Sequence, residues 1–209
     1  LNKNSLFKKP IIVTSKDYVD FIEDSIIRTG VEAEKIILEP CAKNTFPAIS
    51  LAVMISLLKN KDERFLVTPS DHYISKNSEF HRACRLTKTH VNDSGLILFG
   101  VKPERASSDY GYIVSDSLKE DLNKVKGFIE KPDFQTASDI YKNEGVLWNA
   151  GMFAFEGTWF LKTSKEINSK IFEEINNLKP KQYPKSLYFF PQKERFNKIT
   201  ESQFDKVFV

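Results

Sequence analysis

Side chains that could bind a metal ion or a polar ligand occur in this sequence where apolar runs end. Asp71 follows the apolar run 65–67 after a Thr-Pro-Ser stretch. A carboxylate in this place can hold Mg²⁺, which prefers few protein oxygens together with substrate phosphates. It can equally form a turn or cap a helix, as an aspartate after a strand often does. Asp71 is therefore a candidate metal ligand with a structural alternative.

A second candidate is the loop from Glu39 to Thr45, which leads into an apolar helix with Pro47 in its first turn. The backbone N–H groups at the start of a helix have no partner within the helix and point outward. Asn44 or Thr45 can therefore cap this helix or hold a ligand beside it.

Further polar groups lie within or beside apolar strands between residues 110 and 155. Gly111 follows Tyr110 and can admit a substrate close to the backbone, or can be an ordinary glycine of a strand. Glu130 and Lys131 lie at the tip of a strand that a proline ends, where their charges can face a ligand. The alternative is that both charges are simply solvated at the end of the strand. Asn149 lies in sequence among large apolar residues that would exclude water from its amide. The structural alternative is a core strand in which this amide hydrogen-bonds a neighbouring loop.

These candidates are carried by strands that alternate with helices. Runs that are apolar on both faces and joined through helices indicate an α/β fold with a mostly parallel sheet covered by helices. Because ligands bind beyond the carboxyl ends of strands in such sheets, we expect the polar strand ends to converge on one edge. The predicted strands are 10–14, 35–38, 64–68, 95–101, 125–129 and 148–155, and the predicted helices begin near Ser15, Phe46, Asn77 and Ile167.

Composition narrows the class of protein. A chain of 209 residues with 41% hydrophobic and 28% charged residues is typical of one globular domain. The net charge of +3 comes from interspersed Lys and Glu without a basic block, so we expect no nucleic-acid partner. Cys41 and Cys84 fit neither a metal spacing nor a disulfide framework and favour free thiols in the cytoplasm. The apolar helix at 48–58 is too short for a membrane span, and no signal peptide is evident.

The order of these stretches and the residues in them resemble the mannose-1-phosphate guanylyltransferase family of sugar-nucleotide pyrophosphorylases. The resemblance runs from Pro10, weakens after Phe160 and returns at Phe204-Asp205. The combined set of matching stretches is specific for this family, although Glu-Lys-Pro alone is shared across related nucleotidyltransferases. The matching stretches are Ile37-Leu38-Glu39-Pro40, Lys43-Asn44-Thr45, Pro47-Ala48, Pro69-Ser70-Asp71-His72, Phe99-Gly100-Val101-Lys102-Pro103, Tyr110-Gly111-Tyr112-Ile113, Phe128-Ile129-Glu130-Lys131-Pro132 and Trp148-Asn149-Ala150-Gly151-Met152-Phe153.

The resemblance implies a Rossmann-like nucleotidyltransferase fold, with a mostly parallel mixed sheet flanked by helices. It implies transfer of GMP from GTP to mannose 1-phosphate with Mg²⁺, giving GDP-mannose and pyrophosphate. Asp71 would hold the metal and Lys131 would neutralise the sugar phosphate, which makes these two the implied catalytic residues. The implied mannose-binding residues are Tyr110, Gly111, Glu130, Lys131 and Asn149, and the implied nucleotide-binding residues are Glu39, Asn44 and Thr45.

The sequence departs from the family in its glycine-rich phosphate-binding segment, since no Gly-x-Gly occurs. We therefore expect residues 1–209 to form a single nucleotidyltransferase domain that is incomplete at both ends, lacks the first strand, and is weak or inactive alone. The sheet edge left open would be covered by a partner chain or promote self-association into a homo-oligomer. Two alternatives stay open: a transferase for another nucleotide or sugar, and a non-catalytic homologue that binds nucleotide sugars.

Overall fold

The computed structural model of the chain describes residues 6–116 and 120–209, without the side chains of residues 93 and 94. These residues divide into two compact units, 6–63 with 157–208 and 64–156. In chain order the elements are β1 (Ile11–Ser15), a 3₁₀ turn (Lys16–Tyr18), α1 (Val19–Thr29), β2 (Lys35–Glu39), α2 (Thr45–Ser56), β3 (Arg64–Val67), α3 (Asn77–Ser94), β4 (Leu96–Val101), β5 (Tyr112–Ser115), β6 (Val125–Ile129), α4 (Phe134–Ile140), β7 (Val146–Glu156), α5 (Gly157–Ile167), α6 (Ser169–Asn176), β8 (Tyr188–Phe189), α7 (Lys193–Phe196) and α8 (Phe204–Phe208).

The first unit contains a three-stranded parallel sheet in the order β1, β2, β8. Strand β2 lies in the centre, and its residues 35–38 are buried because neighbours flank it on both sides. Helix α2 packs against β1, α5 and α6. Next to it, Phe46, Phe160, Phe204 and Phe208 form a cluster of aromatic rings with centroids 4.8 to 6.3 Å apart. This cluster attaches the C-terminal helix α8 to α2 and α5.

Strand β2 begins with a buried lysine. Lys35 is 2% exposed, and its Nζ donates to the carbonyl oxygens of Pro184, at 2.8 Å, and Ser186. The ammonium also lies 4.7 Å from the centre of the Tyr183 ring. Burial lowers the pKa of Lys35 from its ordinary value. Because the contacts are all with the segment before β8, this side chain attaches that segment to the sheet.

The second unit contains a five-stranded sheet in the order β3, β7, β5, β6, with β4 also paired to β7. All of its described pairs are antiparallel. Helix α3 packs against β3, β4 and β7. Tyr112 is fully buried, and its hydroxyl accepts from the Ser107 N–H at 3.0 Å and donates to the Ser107 carbonyl at 2.9 Å. The tyrosine thereby fixes the loop that leads into β5.

The α/β class and the helix-flanked parallel sheet are confirmed, and each predicted strand is present within two residues of its predicted ends. The second unit differs from the expectation in strand direction, since β3 and β4 pair antiparallel with the long strand β7. Alternation of strands and helices predicts crossovers between neighbours. It carries no information about a later strand that inserts beside them in the opposite direction.

Helix α1 forms where the sequence predicted it, after Ser15 accepts from the N–H of Asp17. Gly30 ends the helix with a φ of 64°, and its N–H donates to the Ile26 carbonyl. Phe21 of this helix is 68% exposed. Among the described residues, no helix combines the length and the apolar character needed to cross a bilayer.

Candidate functional site

Three residues predicted to bind the sugar lie side by side in the second unit. The N–H of Asn149 in β7 donates to the carbonyl of Gly111 at 2.7 Å, one residue before β5 begins. A Cβ placed on Gly111 would lie 2.9 Å from Oε2 of Glu130 and 2.7 Å from the Phe128 ring. The carboxylate of Glu130 thus lies against the backbone of Gly111, where a Cβ would require Phe128 and Glu130 to shift.

A bulge in β7 decides where Asn149 lies. Leu98 of β4 pairs with Phe153, whereas Gly100 pairs with Asn149, so four steps along β7 match two along β4. Gly151 lies within this bulge with a φ of 62°, in the left-handed region that favours glycine. Its N–H donates to Oδ1 of Asn149 at 3.1 Å. The Oδ1 atom is therefore used within the bulge, while Nδ2 donates to no other described residue.

Tyr110 and Trp148, the residues before Gly111 and Asn149, bring two aromatic rings to this part of the second unit. The rings of Tyr110 and Trp148 lie 4.9 Å apart, and the guanidinium of Arg105 lies 5.8 Å from the centre of the Trp148 ring. The indole Nε1 of Trp148 is buried and has no hydrogen-bond partner in the described structure. Tyr110 is 40% exposed and therefore presents part of its ring beside Gly111. Sequence reasoning missed Arg105, which lies only a few residues before the Tyr-Gly pair.

Lys131 follows Glu130 in an uncommon backbone conformation. Its φ is 41°, and its side chain is exposed. A non-glycine residue in the left-handed region stores strain and is held there by its surroundings. Here Asp133 fixes the following turn, because its carboxylate accepts from the N–H of Thr136 at 2.7 Å. This backbone hydrogen bond lowers the pKa of Asp133.

Asp71 is exposed in the loop after β3 and makes no hydrogen bond or ion pair with another described residue. Pro69, two residues earlier, has its Cγ 3.6 Å from the position that a Cβ on Gly151 would take, so the loop runs beside the bulge of β7. Within the described ranges, no three His, Cys, Asp or Glu side chains form a metal-binding group. One free carboxylate nevertheless fits Mg²⁺, which uses one or two carboxylates together with substrate phosphates.

Glu39 ends β2 in the first unit with a partly buried carboxyl group. Its Oε1 is buried and has no hydrogen-bond partner in the described structure. Burial raises its pKa from 4.5 to about 7, because an ionised carboxylate loses hydration there. A buried carboxyl with an unused oxygen and a raised pKa is a common feature of functional sites.

Asn44 caps α2, which is one of the two roles that the sequence left open, and Thr45 is the first residue of the helix. Oδ1 of Asn44 accepts from the Thr45 N–H at 3.0 Å, and the Phe46 N–H donates to the Ser202 carbonyl at 3.0 Å. Pro47 has no N–H. The N–H groups expected to point outward at 45 and 46 are therefore already bonded within the protein. The Thr45 Oγ1 accepts from the Phe204 N–H at 2.8 Å and keeps its own hydrogen for donation.

Comparison with known proteins places this arrangement in a family. A family model described as nucleotidyl transferase matches residues 1–194. The chain belongs to this family. The resemblance noted from the motifs is confirmed by relatives that carry the corresponding name, since a mannose-1-phosphate guanylyltransferase of Salmonella muenchen is 32% identical over 172 residues, covering 81% of this chain and 36% of the relative.

Two other proteins show how far the likeness of this nucleotidyl transferase chain extends. The alginate biosynthesis protein AlgA of Pseudomonas fluorescens is 34% identical over 167 residues, which cover 78% of this chain and 35% of the relative. A crystal structure of mannose-6-phosphate isomerase from Helicobacter pylori superposes with a TM-score of 0.83 at 25% identity, covering 97% of this chain and 78% of that one. The chain spans about a third of the length of the curated relatives it matches.

Proposed function

We propose that this chain is the nucleotidyl-transfer part of a mannose-1-phosphate guanylyltransferase. The reaction joins GTP and mannose 1-phosphate into GDP-mannose and releases pyrophosphate. The observation that carries the proposal is the contact of Gly111 with both Glu130 and Asn149. The Gly111 carbonyl accepts from the backbone N–H of Asn149 at 2.7 Å, and a Cβ on Gly111 would lie 2.9 Å from Oε2 of Glu130. Family membership and the names of the relatives support the same chemistry.

The second unit would bind the sugar phosphate. The carboxylate of Glu130 can accept hydrogen bonds from two sugar hydroxyls, and Nδ2 of Asn149 can donate to a third. The ammonium of exposed Lys131 would neutralise the sugar phosphate, a charge-assisted contact stronger than a neutral hydrogen bond. The Tyr110 side chain would cover the apolar face of the mannose ring.

The first unit would bind the guanosine part of the nucleotide through Glu39, Asn44 and Thr45. Guanine presents two neighbouring donors, N1–H and N2–H, on the edge that pairs with cytosine. An ionised Glu39 presents two acceptor oxygens, of which Oε1 has no other described partner. The Thr45 hydroxyl can donate to an acceptor of the ligand, and the amide of Asn44 would act through the loop conformation that it holds.

Nucleotidyl transfer by in-line attack on the α-phosphorus needs positioning and charge neutralisation rather than covalent catalysis. Lys131 would hold the attacking phosphate and offset its charge. Asp71 would hold Mg²⁺, which when bound neutralises charge on the nucleotide phosphates. We place the reaction in the cytoplasm, where thiols such as those of Cys41 and Cys84 stay reduced.

Calorimetric titration of the chain with GDP-mannose and Mg²⁺, beside UDP-glucose, tests the proposal. We expect GDP-mannose to bind at least about tenfold more tightly than UDP-glucose, because each lost charged hydrogen bond costs about 1.5 to 3 kcal/mol. Asp71→Ala and Glu130→Ala should each weaken binding, whereas Glu144→Ala, an exposed glutamate of the same unit, should not.

Preference for UDP-glucose would instead identify a transferase for another nucleotide. Failure of the chain to bind either compound, with a cooperative melting curve showing that it is folded, would refute the proposed site. Binding of GDP-mannose that is indifferent to both Asp71→Ala and Glu130→Ala would refute the residue roles.

A further inference from the structure

The loop before α2, residues 41–46, is held by a segment from the far end of the chain, residues 197–204. The Phe46 N–H donates to the Ser202 carbonyl at 3.0 Å, and the Ser202 N–H donates to the Lys43 carbonyl at 3.2 Å. The Lys43 ammonium donates to the Asn197 carbonyl at 2.9 Å. These contacts form a short ladder between the two segments, and all of them lie within the first unit.

The loop needs this support because Asn44 has a strained backbone. Its φ is 70° and its ψ is −173°, in a region that is essentially restricted to glycine. Residues persist in such conformations only where the surrounding structure determines them. The side chain of Asn44 is bonded at both ends, since Oδ1 accepts from the Thr45 N–H at 3.0 Å and Nδ2 donates to Oε1 of Glu201 at 3.2 Å.

Segment 197–204 is itself anchored and can therefore act as a support. The Thr200 N–H donates to Oε2 of Glu174 on α6 at 3.0 Å. Phe204 is fully buried and stacks on Phe160, with the ring centroids 6.0 Å apart. Glu201, in contrast, is exposed and lies outside the core. Its removal therefore tests the contact with Asn44 without emptying a packed site.

We propose that Glu201 is a positioning residue for nucleotide binding, which acts by holding Asn44 and with it the loop 41–46 in the binding conformation. This role rests on the proposed function, because it assigns the loop to the nucleotide. Glu201 does not need to contact the ligand. Its carboxylate selects the orientation of the Asn44 amide, and that amide holds the N–H of Thr45 at the start of α2.

Hydrogen exchange of the whole chain, without ligand, tests the loop itself. Glu201→Ala should speed exchange of the Thr45 and Phe46 N–H groups about tenfold, the effect of losing one hydrogen bond to a charged group. Glu201→Gln should restore slow exchange, because its amide oxygen still accepts from Asn44. The matched control is Glu194→Ala, which removes an exposed glutamate of α7 and should leave both rates unchanged.

GDP-mannose affinity then tests the positioning role. We expect Glu201→Ala to raise the Kd several-fold to about tenfold with little change in melting temperature, and Glu201→Gln to recover the wild-type Kd. Exchange rates within twofold of wild type in Glu201→Ala would overturn the proposal. Faster exchange with an unchanged Kd would overturn the positioning role. If the proposed function is wrong, the wild-type chain will not bind GDP-mannose. In that case the exchange rates still decide whether Glu201 holds the loop.

A glycine at residue 44 provides an independent check on the strain. Asn44→Gly adopts a φ of 70° freely, so the loop should no longer depend on Glu201 for its conformation. Adding Glu201→Ala to Asn44→Gly should therefore change Phe46 exchange by less than about twofold, compared with about tenfold in the wild-type background. Equal effects in both backgrounds would show that Glu201 does not act through Asn44.

Discussion

Glu39 makes stability and nucleotide binding depend on pH in opposite directions. Its pKa is raised from 4.5 to about 7 by burial. The folded state therefore binds more protons than the unfolded state between these values, and the free energy of unfolding falls as the pH rises through this range. A pKa shift of this size lowers the free energy of unfolding by about 3 kcal/mol once the carboxyl group is ionised in both states.

The variant Glu39→Gln removes the ionisable group and keeps its shape. We expect the two proteins to differ little in unfolding free energy at pH 4. At pH 8 the variant should be more stable by up to about 3 kcal/mol, because the wild type then buries a charge that glutamine lacks. Urea denaturation at pH 4, 5, 6, 7 and 8 measures the difference, and Glu194→Gln, which changes an exposed glutamate of α7, should follow the wild-type profile.

Binding should show the opposite trend. If ionised Glu39 accepts from the two donors of guanine, GDP-mannose affinity rises between pH 6 and pH 8 in the wild type and stays weak in Glu39→Gln. Parallel stability profiles for the wild type and Glu39→Gln would refute the burial argument. A variant that gains stability at pH 8 and keeps full affinity would refute the role in base recognition.

Three further substitutions test the geometry. Gly111→Ala forces its Cβ to within 2.7 Å of the Phe128 ring and should cost about 1 to 3 kcal/mol in thermal unfolding and weaken GDP-mannose binding, whereas Gly127→Ala, with its nearest atom 4.0 Å away, should bind normally. Lys131→Gly relieves the backbone at a φ of 41° and should raise stability by about 1 kcal/mol in urea, while weakening GDP-mannose binding in calorimetry at least about tenfold. Lys35→Met leaves the carbonyl groups of Pro184 and Ser186 without their lysine donor and should lower the unfolding free energy by about 1 to 3 kcal/mol.

Each of these predictions has a clear contrary result. Equal binding by Gly111→Ala and Gly127→Ala would show that the backbone at 111 does not approach the ligand. Wild-type affinity in Lys131→Gly would remove the lysine from the phosphate site. A Lys35→Met variant with unchanged urea denaturation would show that the lysine does not attach the segment before β8.

The sequence by itself determined the strands β1 to β4, β6 and β7, the helices α1, α2, α3 and α6, and the family. Apolar runs interrupted by proline mark the ends of β2, β3 and β6, and the motifs at those ends identify nucleotidyl transferases. The candidate residues Gly111, Glu130 and Asn149 follow from the same motifs, because they are local patterns of a few residues. Local spacing also explains why Asn44 could be read as a cap.

Only the tertiary structure decided how these residues are held. The pairing of β7 with β4 creates the bulge that places Asn149, and no local pattern encodes which strand inserts beside which. The buried oxygen of Glu39 depends on packing around the end of β2. Glu201 lies 157 residues from Asn44 in the chain, yet their contact supports a strained loop. Periodicity reports neighbours along a helix or strand, whereas these contacts arise only when distant segments fold together.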